Sequence, residues 1–369
     1  FHLNTELFLA LVIGPLLFRE SEEADITAIL KHWRIIVYLI FPVIFISTLS
    51  LGGLAHLLWF SLPLAACLAV GAALGPTDLV AFASLSERFS FPKRVSNILK
   101  GEGLLNDASG LVAFQVALTA WTTGAFSLGQ ASSSLIFSIL GGFLIGFVTA
   151  MTNRFLHSFL LSVRATDIAS ELLLELSLPL VTFFLAEEVH VSGIIAVVVA
   201  GILKASRFKK ITLLEAQVDT VTETVWHTVN FMLNGSVFVI LGMELEMIAE
   251  PILTNPIYNP LLLLVSLIAL TFVLFAIRFV MIYGYYAYRT RRLKKKLNKY
   301  MKDMLLLTFS GVKGTVSIAT ILLIPSNLEQ EYPLLLFLVA GVTLVSFLTG
   351  LLVLPHLSDE QEESKDYLM

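Results

Sequence analysis

The chain has 369 residues, of which 57% are hydrophobic and 14% charged, and its mean hydropathy is +0.85. Soluble proteins use about 45–50% apolar and about 25% charged residues, so this composition excludes a secreted domain, a nucleic-acid-binding protein and a disulfide scaffold. The formal net charge of −4 carries little information, because in a membrane protein the placement of charges matters more than their sum.

Eleven apolar runs bounded by charged residues, Pro or Gly are predicted to cross the bilayer, since about 20 apolar residues span its hydrocarbon core. In chain order these runs are 3–18, 33–58, 61–86, 97–123, 132–152, 168–186, 191–204, 226–247, 259–288, 304–324 and 332–356. The first run is short and no initiator Met precedes it, so the N-terminus is expected to be incomplete. The acidic stretch 359–363 is expected to begin a cytoplasmic extension. The single cysteine, Cys67, is expected to be a packing residue.

The basic residues determine the predicted orientation. Of the 24 Lys and Arg residues, 21 lie in the odd-numbered connections or the C-terminal tail, and the even-numbered connections contain none. These odd loops and the tail are therefore predicted to be cytoplasmic. The most basic loop, 289–302, is interpreted as a solvated loop that sets orientation, with anionic lipid or nucleic acid as the alternative ligand. Lys100 and Arg278 are expected to snorkel to the cytoplasmic surface, whereas Lys313 lies deeper.

Four ionisable residues are predicted to lie within the membrane: Asp78, Glu102, Asp107 and Lys313. Each such group costs about 2.5–3.5 kcal/mol on insertion scales, so each is a functional candidate. Asp78 follows Gly75-Pro76, which opposes a continuous helix and predicts a break in the third run. Breaks at this depth line cavities and provide ion ligands. The alternative is a proline kink in which Asp78 only caps the second half-helix.

In the fourth run, Glu102 and Asn106 are four residues apart and share a helix face, whereas Asp107 lies about 140° from Glu102. The two carboxylates are therefore expected to have different roles. Asn106 places no second negative charge beside Asp107. A structural hydrogen-bond acceptor is the alternative role for Asp107.

Lys313 lies between Gly311 and Gly314, which would let another backbone approach closely. A buried Lys requires a carboxylate partner, and Glu102 or Asp78 can supply it. Runs three and four and runs ten and eleven cross the membrane in opposite directions, as an inverted repeat requires.

At these residues the sequence resembles the monovalent cation/proton antiporter superfamily, in the branch of the bacterial NhaP-type antiporters and the animal sodium/proton exchangers. The resemblance covers nearly the whole chain. It rests on Gly75-Pro76-Thr77-Asp78, on 101–107 (family pattern G-E-S-L-L-N-D), on 191–201, on 234–242 and on 311–317 (family pattern G-L-R-G-A-V-S).

The resemblance implies an all-α, 13-helix inverted-repeat fold with broken crossing helices, of which 11 spans are present. It also implies a mobile core, a scaffold that forms a homodimer, and a helix that links the two. The corresponding ranges are 1–30 (scaffold), 31–124 (core, first repeat), 131–157 (linking helix), 165–250 (scaffold), 257–357 (core, second repeat) and 358–369 (start of the cytoplasmic tail).

By the same resemblance, Asp107 binds the cation and the proton, with Na⁺ held at Asp107 and Thr77, and Glu102 pairs with Lys313 as a structural ion pair. The site would also include Asp78, Asn106 and Ser109. Two residues depart from the family pattern. Gly103 replaces a Ser and removes a hydroxyl, and Lys313 replaces an Arg and loses its bidentate fork.

The function expected is exchange of Na⁺, or of Li⁺ or K⁺, for H⁺ across the plasma membrane in the service of pH homeostasis. One carboxylate holds either a proton or a cation, so an electroneutral one-for-one cycle with alternating access is predicted. The transported ions and membrane lipid are the expected partners, and no cofactor or nucleic acid is expected. The alternatives are an intramembrane aspartyl protease that uses Asp78 and Asp107 as a dyad and a passive cation channel.

Overall fold

The computed structural model describes most of the predicted membrane region. The described residues are 5–24, 26–78, 81–82, 85, 89–124, 128–162, 168–205, 220–233, 235–236, 239, 242–243, 252, 258–292, 294, 297–321, 323–324, 332–357 and 359–360. This part of the chain is almost entirely α-helical, which confirms the predicted fold class.

The helices follow one another with short connections. They are α1 (5–23), α2 (Ile26–Leu30), α3 (Trp33–Leu58), α4 (Leu64–Ala73), α5 (Lys93–Thr123), α6 (Leu128–Ser162), α7 (Ile168–Glu188), α8 (Gly193–Ala205), α9 (220–233), α10 (Pro260–Arg292), α11 (Met301–Phe309), α12 (Thr315–Ile321) and α13 (Tyr332–Leu357). Strands β1 (Phe89–Ser90) and β2 (Asp359–Glu360) form one short antiparallel pair.

Five of the described helices are long and apolar enough to cross a membrane. They are α3, the segment Ile136–Leu160 of α6, α7, α10 and α13. Helices α4 and α8 are apolar but shorter. Large hydrophobic side chains such as Phe137, Phe155 and Phe272 are exposed on these helices, as expected of surfaces that face lipid. The number of spans stays a prediction, because several predicted runs lie partly outside the described residues.

The chain divides into two compact units. The first unit consists of Phe1–Ile26 and Phe126–Glu244, and the second consists of Thr27–Ala125 and Leu245–Met369. The first unit therefore contains α1 and α6 to α9. The second unit contains α2 to α5 and α10 to α13, and the residues of interest for function lie in it.

In the first unit, α8 packs closely on α1 and α6 through small residues. A Cβ atom at Gly201 would come within 2.6 Å of the Phe18 carbonyl oxygen of α1. At one end of α8, Lys204 pairs with Glu175 at 2.8 Å, and the Trp226 indole donates to the same carboxylate at 3.0 Å. These contacts join four elements of the first unit.

In the second unit, two helices are interrupted. Helix α4 ends at Ala73, residues 74–78 are not helical, and residues 81–82 are helical again. The break predicted at Gly75-Pro76 is therefore confirmed. Helix α11 ends at Phe309, and α12 begins at Thr315 after the non-helical residues 310–314.

Adjacent glycines on α3 allow a test of how closely α4 packs there. A Cβ atom at Gly52 would lie 2.8 Å from the Leu68 Cα of α4, whereas one at Gly53 would have no atom within 4 Å. Replacing either glycine by Ala raises helix propensity by about 1 kcal/mol. We expect Gly53→Ala to keep or raise the melting temperature of the purified protein. Gly52→Ala should lower it, because overpacking costs about 1–3 kcal/mol. Equal melting temperatures for the two variants would contradict this packing.

Candidate cation site

The two helix breaks meet each other inside the second unit. The Asp78 amide donates to the Val312 carbonyl at 3.1 Å, so the backbones of the two breaks are directly hydrogen-bonded. A Cβ atom at Gly314 would overlap the Asp78 carboxylate. A side chain at position 314 would therefore have to displace the Asp78 carboxylate. We call residues 74–78 and 310–314 together the crossing.

Asp78 caps the helical segment that follows its break. Its Oδ1 accepts a hydrogen bond from the Ala81 amide at 2.9 Å, in the manner of a helix N-cap. Asp78 is only 5% exposed. Asp78 therefore caps the second half-helix, as the alternative interpretation predicted. The helix break is present as well, so the two interpretations are not exclusive.

Lys313 donates hydrogen bonds to backbone carbonyl groups that have lost their helical partners at the first break. Its Nζ donates to the Gly75 carbonyl at 2.8 Å and to the Pro76 carbonyl at 2.6 Å. Its backbone amide donates to the Ser346 Oγ on α13 at 3.1 Å. The ammonium group is thus held at the C-terminal end of α4, where the helix dipole favours a positive charge.

Glu102 is held by Arg278 of α10. The Arg278 Nη1 and Nη2 atoms donate to the two Glu102 carboxylate oxygens at 2.6 and 2.8 Å, forming a bidentate pair. Glu102 is 1% exposed and Arg278 is 4% exposed. The predictions that Glu102 pairs with Lys313 and that Arg278 snorkels to the surface are therefore wrong. Glu102 pairs with Arg278, which is buried.

The second break explains why Arg278 remains buried. Since α11 ends at Phe309, the Gly311 amide bonds to the Thr308 carbonyl, and the Leu307 carbonyl accepts from the Arg278 Nε at 2.9 Å instead. A Cβ atom at Gly311 would overlap the guanidinium. The sequence did contain a signal that Arg278 stays buried. Arg278 precedes Arg289 by about 16 Å of helix, which is more than the length over which a side chain snorkels.

Thr77 connects Glu102 and Asn106 to the crossing. The Thr77 Oγ1 donates to the Glu102 Oε1 at 3.1 Å, and the Asn106 Nδ2 donates to the Thr77 carbonyl and Oγ1 at 2.9 and 2.6 Å. The predicted shared face of Glu102 and Asn106 is therefore confirmed. The Asn106 Oδ1 is buried without a hydrogen-bond partner among the described residues. It is thus an oxygen acceptor available at the site.

The two remaining predicted site residues follow Asn106 on α5. Asp107 belongs to α5, but its side chain lies outside the described part of the chain. The Ser109 hydroxyl donates to the Asn106 carbonyl at 2.8 Å and lies 3.4 Å from the Ile40 carbonyl of α3. Ser109 is thus directed towards α3, on the same helix as Asn106.

Known proteins resemble this chain along nearly its whole length. A protein 36% identical over 367 residues, from Bacillus subtilis, is described as a sodium, potassium, lithium and rubidium/H⁺ antiporter. One from Bacillus pumilus with the same description is 34% identical over 368 residues. These matches cover 97% and 98% of this chain but 55% of each relative, so the chain spans about half the length of these two proteins.

The fold comparison agrees with the sequence comparison. The structure of the sodium proton antiporter MjNhaP1 from Methanocaldococcus jannaschii at pH 8 superposes with a TM-score of 0.62, covering 93% of this chain and 82% of the other at 17% identity. At this identity the match supports the fold alone. The profile of the family described as "Sodium/hydrogen exchanger, transmembrane" matches residues 2–358. The chain therefore belongs to the sodium/hydrogen exchanger family, as the resemblance predicted.

Proposed function

We propose that this protein exchanges a monovalent cation for a proton across the plasma membrane, with Asp107 as the group that binds either ion. The observation that carries the proposal is the crossing, where buried charged side chains and the backbone groups of two helix breaks meet next to the helix that contains Asp107. The family and the two Bacillus relatives support cation/proton exchange. Na⁺ is the first candidate, with Li⁺ and K⁺ as further candidates.

The proposed ligands are oxygen atoms, which suit a hard monovalent cation. Besides the Asp107 carboxylate, they include oxygens of Thr77, Asp78 and Ser109 and the Asn106 Oδ1. The described contacts support the inclusion of Asn106, because its Oδ1 is buried and accepts no hydrogen bond from the described residues. Gly103, which replaces the serine of the family pattern, contributes no hydroxyl, so we expect Asn106 to matter more here.

The charges of the site support a stoichiometry of one cation for one proton. The Glu102–Arg278 pair has no net charge, and Lys313 offsets Asp78 within the crossing. Asp107 then adds one negative charge, which either one proton or one monovalent cation neutralises. The loaded site has the same charge in both states, so the cycle is proposed to be electroneutral.

We further propose that the second unit moves against the first to alternate access to the site, and that the first unit forms a homodimer. Support comes from the location of all described parts of the crossing in the second unit. The distribution of basic residues supports cytoplasmic odd loops and a cytoplasmic tail. The Asp78 bond to the Ala81 amide favours a structural role over membership of a protease dyad.

Asp107→Ala is expected to abolish exchange, because the other proposed carboxylate, Asp78, caps a helical segment and its charge is offset by Lys313. The measurement is cation-driven proton movement in proteoliposomes, with Na⁺, Li⁺ and K⁺ tested in turn. The matched control is Thr119→Ala, which removes an exposed polar side chain from the same helix and should leave the rate unchanged. Exchange retained by Asp107→Ala would refute the assignment.

The unaltered protein is expected to transport at a rate independent of the membrane potential, because one positive charge moves in each direction. The experiment imposes inside-negative and inside-positive potentials on the same proteoliposomes at a fixed pH gradient. A rate that changes with the potential would rule out the one-for-one cycle. Cation flux without proton movement would instead indicate a channel.

Arg278→Gln is expected to destabilise the protein by about 3–5 kcal/mol, because it leaves the Glu102 carboxylate buried without its cation. Arg278→Lys should be intermediate, since it keeps the charge but loses the bidentate fork. The melting temperature of the purified protein measures this effect. Arg292→Gln, at the exposed end of the same helix, is the control and should change it little. Similar melting of the Arg278→Gln and Arg292→Gln variants would show that the pair is not structural.

A further inference from the structure

The second unit contains a basic surface. It is formed by the turn between α2 and α3, the start of α5 and the end of α10. Close packing brings these parts together, because a Cβ atom at Gly101 of α5 would contact Ile29 of α2 and Ile36 of α3. Helix α3 also contacts α10, since the Tyr38 hydroxyl donates to the Met281 carbonyl at 3.2 Å.

The side chains of this surface are predominantly cationic. Exposed basic residues are contributed by all three parts: Lys31, Arg34, Lys93 and Arg289. The segments 26–34, 93–101 and 279–292 contain no acidic residue. An excess of positive charge therefore remains for an anionic ligand.

Arg94, at the start of α5, has polar partners within the protein. It donates to the Tyr286 hydroxyl at 3.1 Å and lies 3.6 Å from the Asp303 carboxylate. Just before α5, the backbone of β1 pairs with that of β2. Asp303 is thus committed to Arg94, and it does not contact the exposed cations in the described structure.

The electrostatic environment of His32 reports the same excess of positive charge. Burial lowers the pKa of His32, and the nearby Arg94, Arg289 and Lys31 lower it further. His32 lies in the turn before α3 and within electrostatic range of Arg289 at the end of α10. A bound anion would offset this potential and favour a charged imidazole.

An apolar stripe runs from the basic surface along α3. Trp33, Val37, Phe41 and Phe45 follow each other at intervals of four residues and are 53%, 42%, 51% and 63% exposed. Residues at this spacing share a helix face. The Arg34 guanidinium lies 5.6 Å from the centre of the Trp33 ring, so the charged and apolar parts of this surface are continuous.

We propose that Arg34, Lys31 and Arg289 bind the phosphate of an anionic phospholipid whose acyl chain lies along the stripe that begins at Trp33. Guanidinium groups bind phosphate oxygens bidentately, and basic clusters at the end of a membrane helix attract anionic headgroups. The apolar stripe favours a lipid over a free phosphate ion. The site uses none of the residues assigned to cation exchange, so it is independent of the proposed function.

The test measures phosphatidylglycerol binding to the full protein in phosphatidylcholine nanodiscs, by native mass spectrometry and by the rise in melting temperature. We expect Arg34→Gln/Arg289→Gln to weaken this binding by about 30-fold. Each basic residue near an anionic surface contributes about 1 kcal/mol, and about 1.4 kcal/mol corresponds to a tenfold change in affinity. The control, Arg154→Gln, removes an exposed charge of α6 outside the basic surface and should bind as the unaltered protein does.

Three further comparisons make the proposal falsifiable. Trp33→Ala should also weaken phosphatidylglycerol binding, and equal stabilisation by inorganic phosphate would overturn the assignment to a lipid. Equal weakening in the control variant would show general charge attraction and would overturn the site. If Arg34→Gln/Arg289→Gln does not fold, Lys31→Gln/Arg34→Gln must show the same loss, and unchanged binding by that variant would refute the proposal.

Discussion

The second unit depends on two interrupted helices that satisfy each other's backbone groups. An unpaired amide or carbonyl away from water is costly, so a break at membrane depth requires partners supplied by the protein. Here the Lys313 ammonium bonds the carbonyls of Gly75 and Pro76, and the Asp78 amide bonds the Val312 carbonyl. The charged side chains of the crossing therefore hold its backbone together.

The Glu102–Arg278 pair extends this arrangement from the crossing to α5 and α10. Arg278 bonds both Glu102 oxygens and also the carbonyl released by the second break, while Glu102 accepts from Thr77 in the first break. Asn106 bonds the same Thr77 from the next turn of α5. Glu102, Asn106 and Arg278 are thus held together by four segments that are far apart in the sequence. A site that must discriminate between a proton and a cation benefits from such fixed neighbours.

Local rules accounted for much of this site. Pro76 has no amide hydrogen, so the break before Asp78 followed from the sequence, and the spacing of four residues placed Glu102 and Asn106 on one face. The sequence did not identify the partner of Glu102. Arg278 and Lys313 are both buried cations near glycines, and choosing between them required knowing which helix faces α5 and at what depth. The role of Arg278 at the Leu307 carbonyl also depends on how α11 ends.

The sequence by itself determined that the chain is an all-helical membrane protein, where its third run breaks, and which few charges lie within its apolar runs. These features depend on composition and on residues within a turn or two of each other. Only the tertiary structure decided that Arg278 pairs with Glu102 and that Lys313 bonds backbone carbonyls instead. The physical reason is that Arg278 and Lys313 can both neutralise a carboxylate. Only the packing of α5, α10 and the crossing brings Arg278 within hydrogen-bonding distance of Glu102.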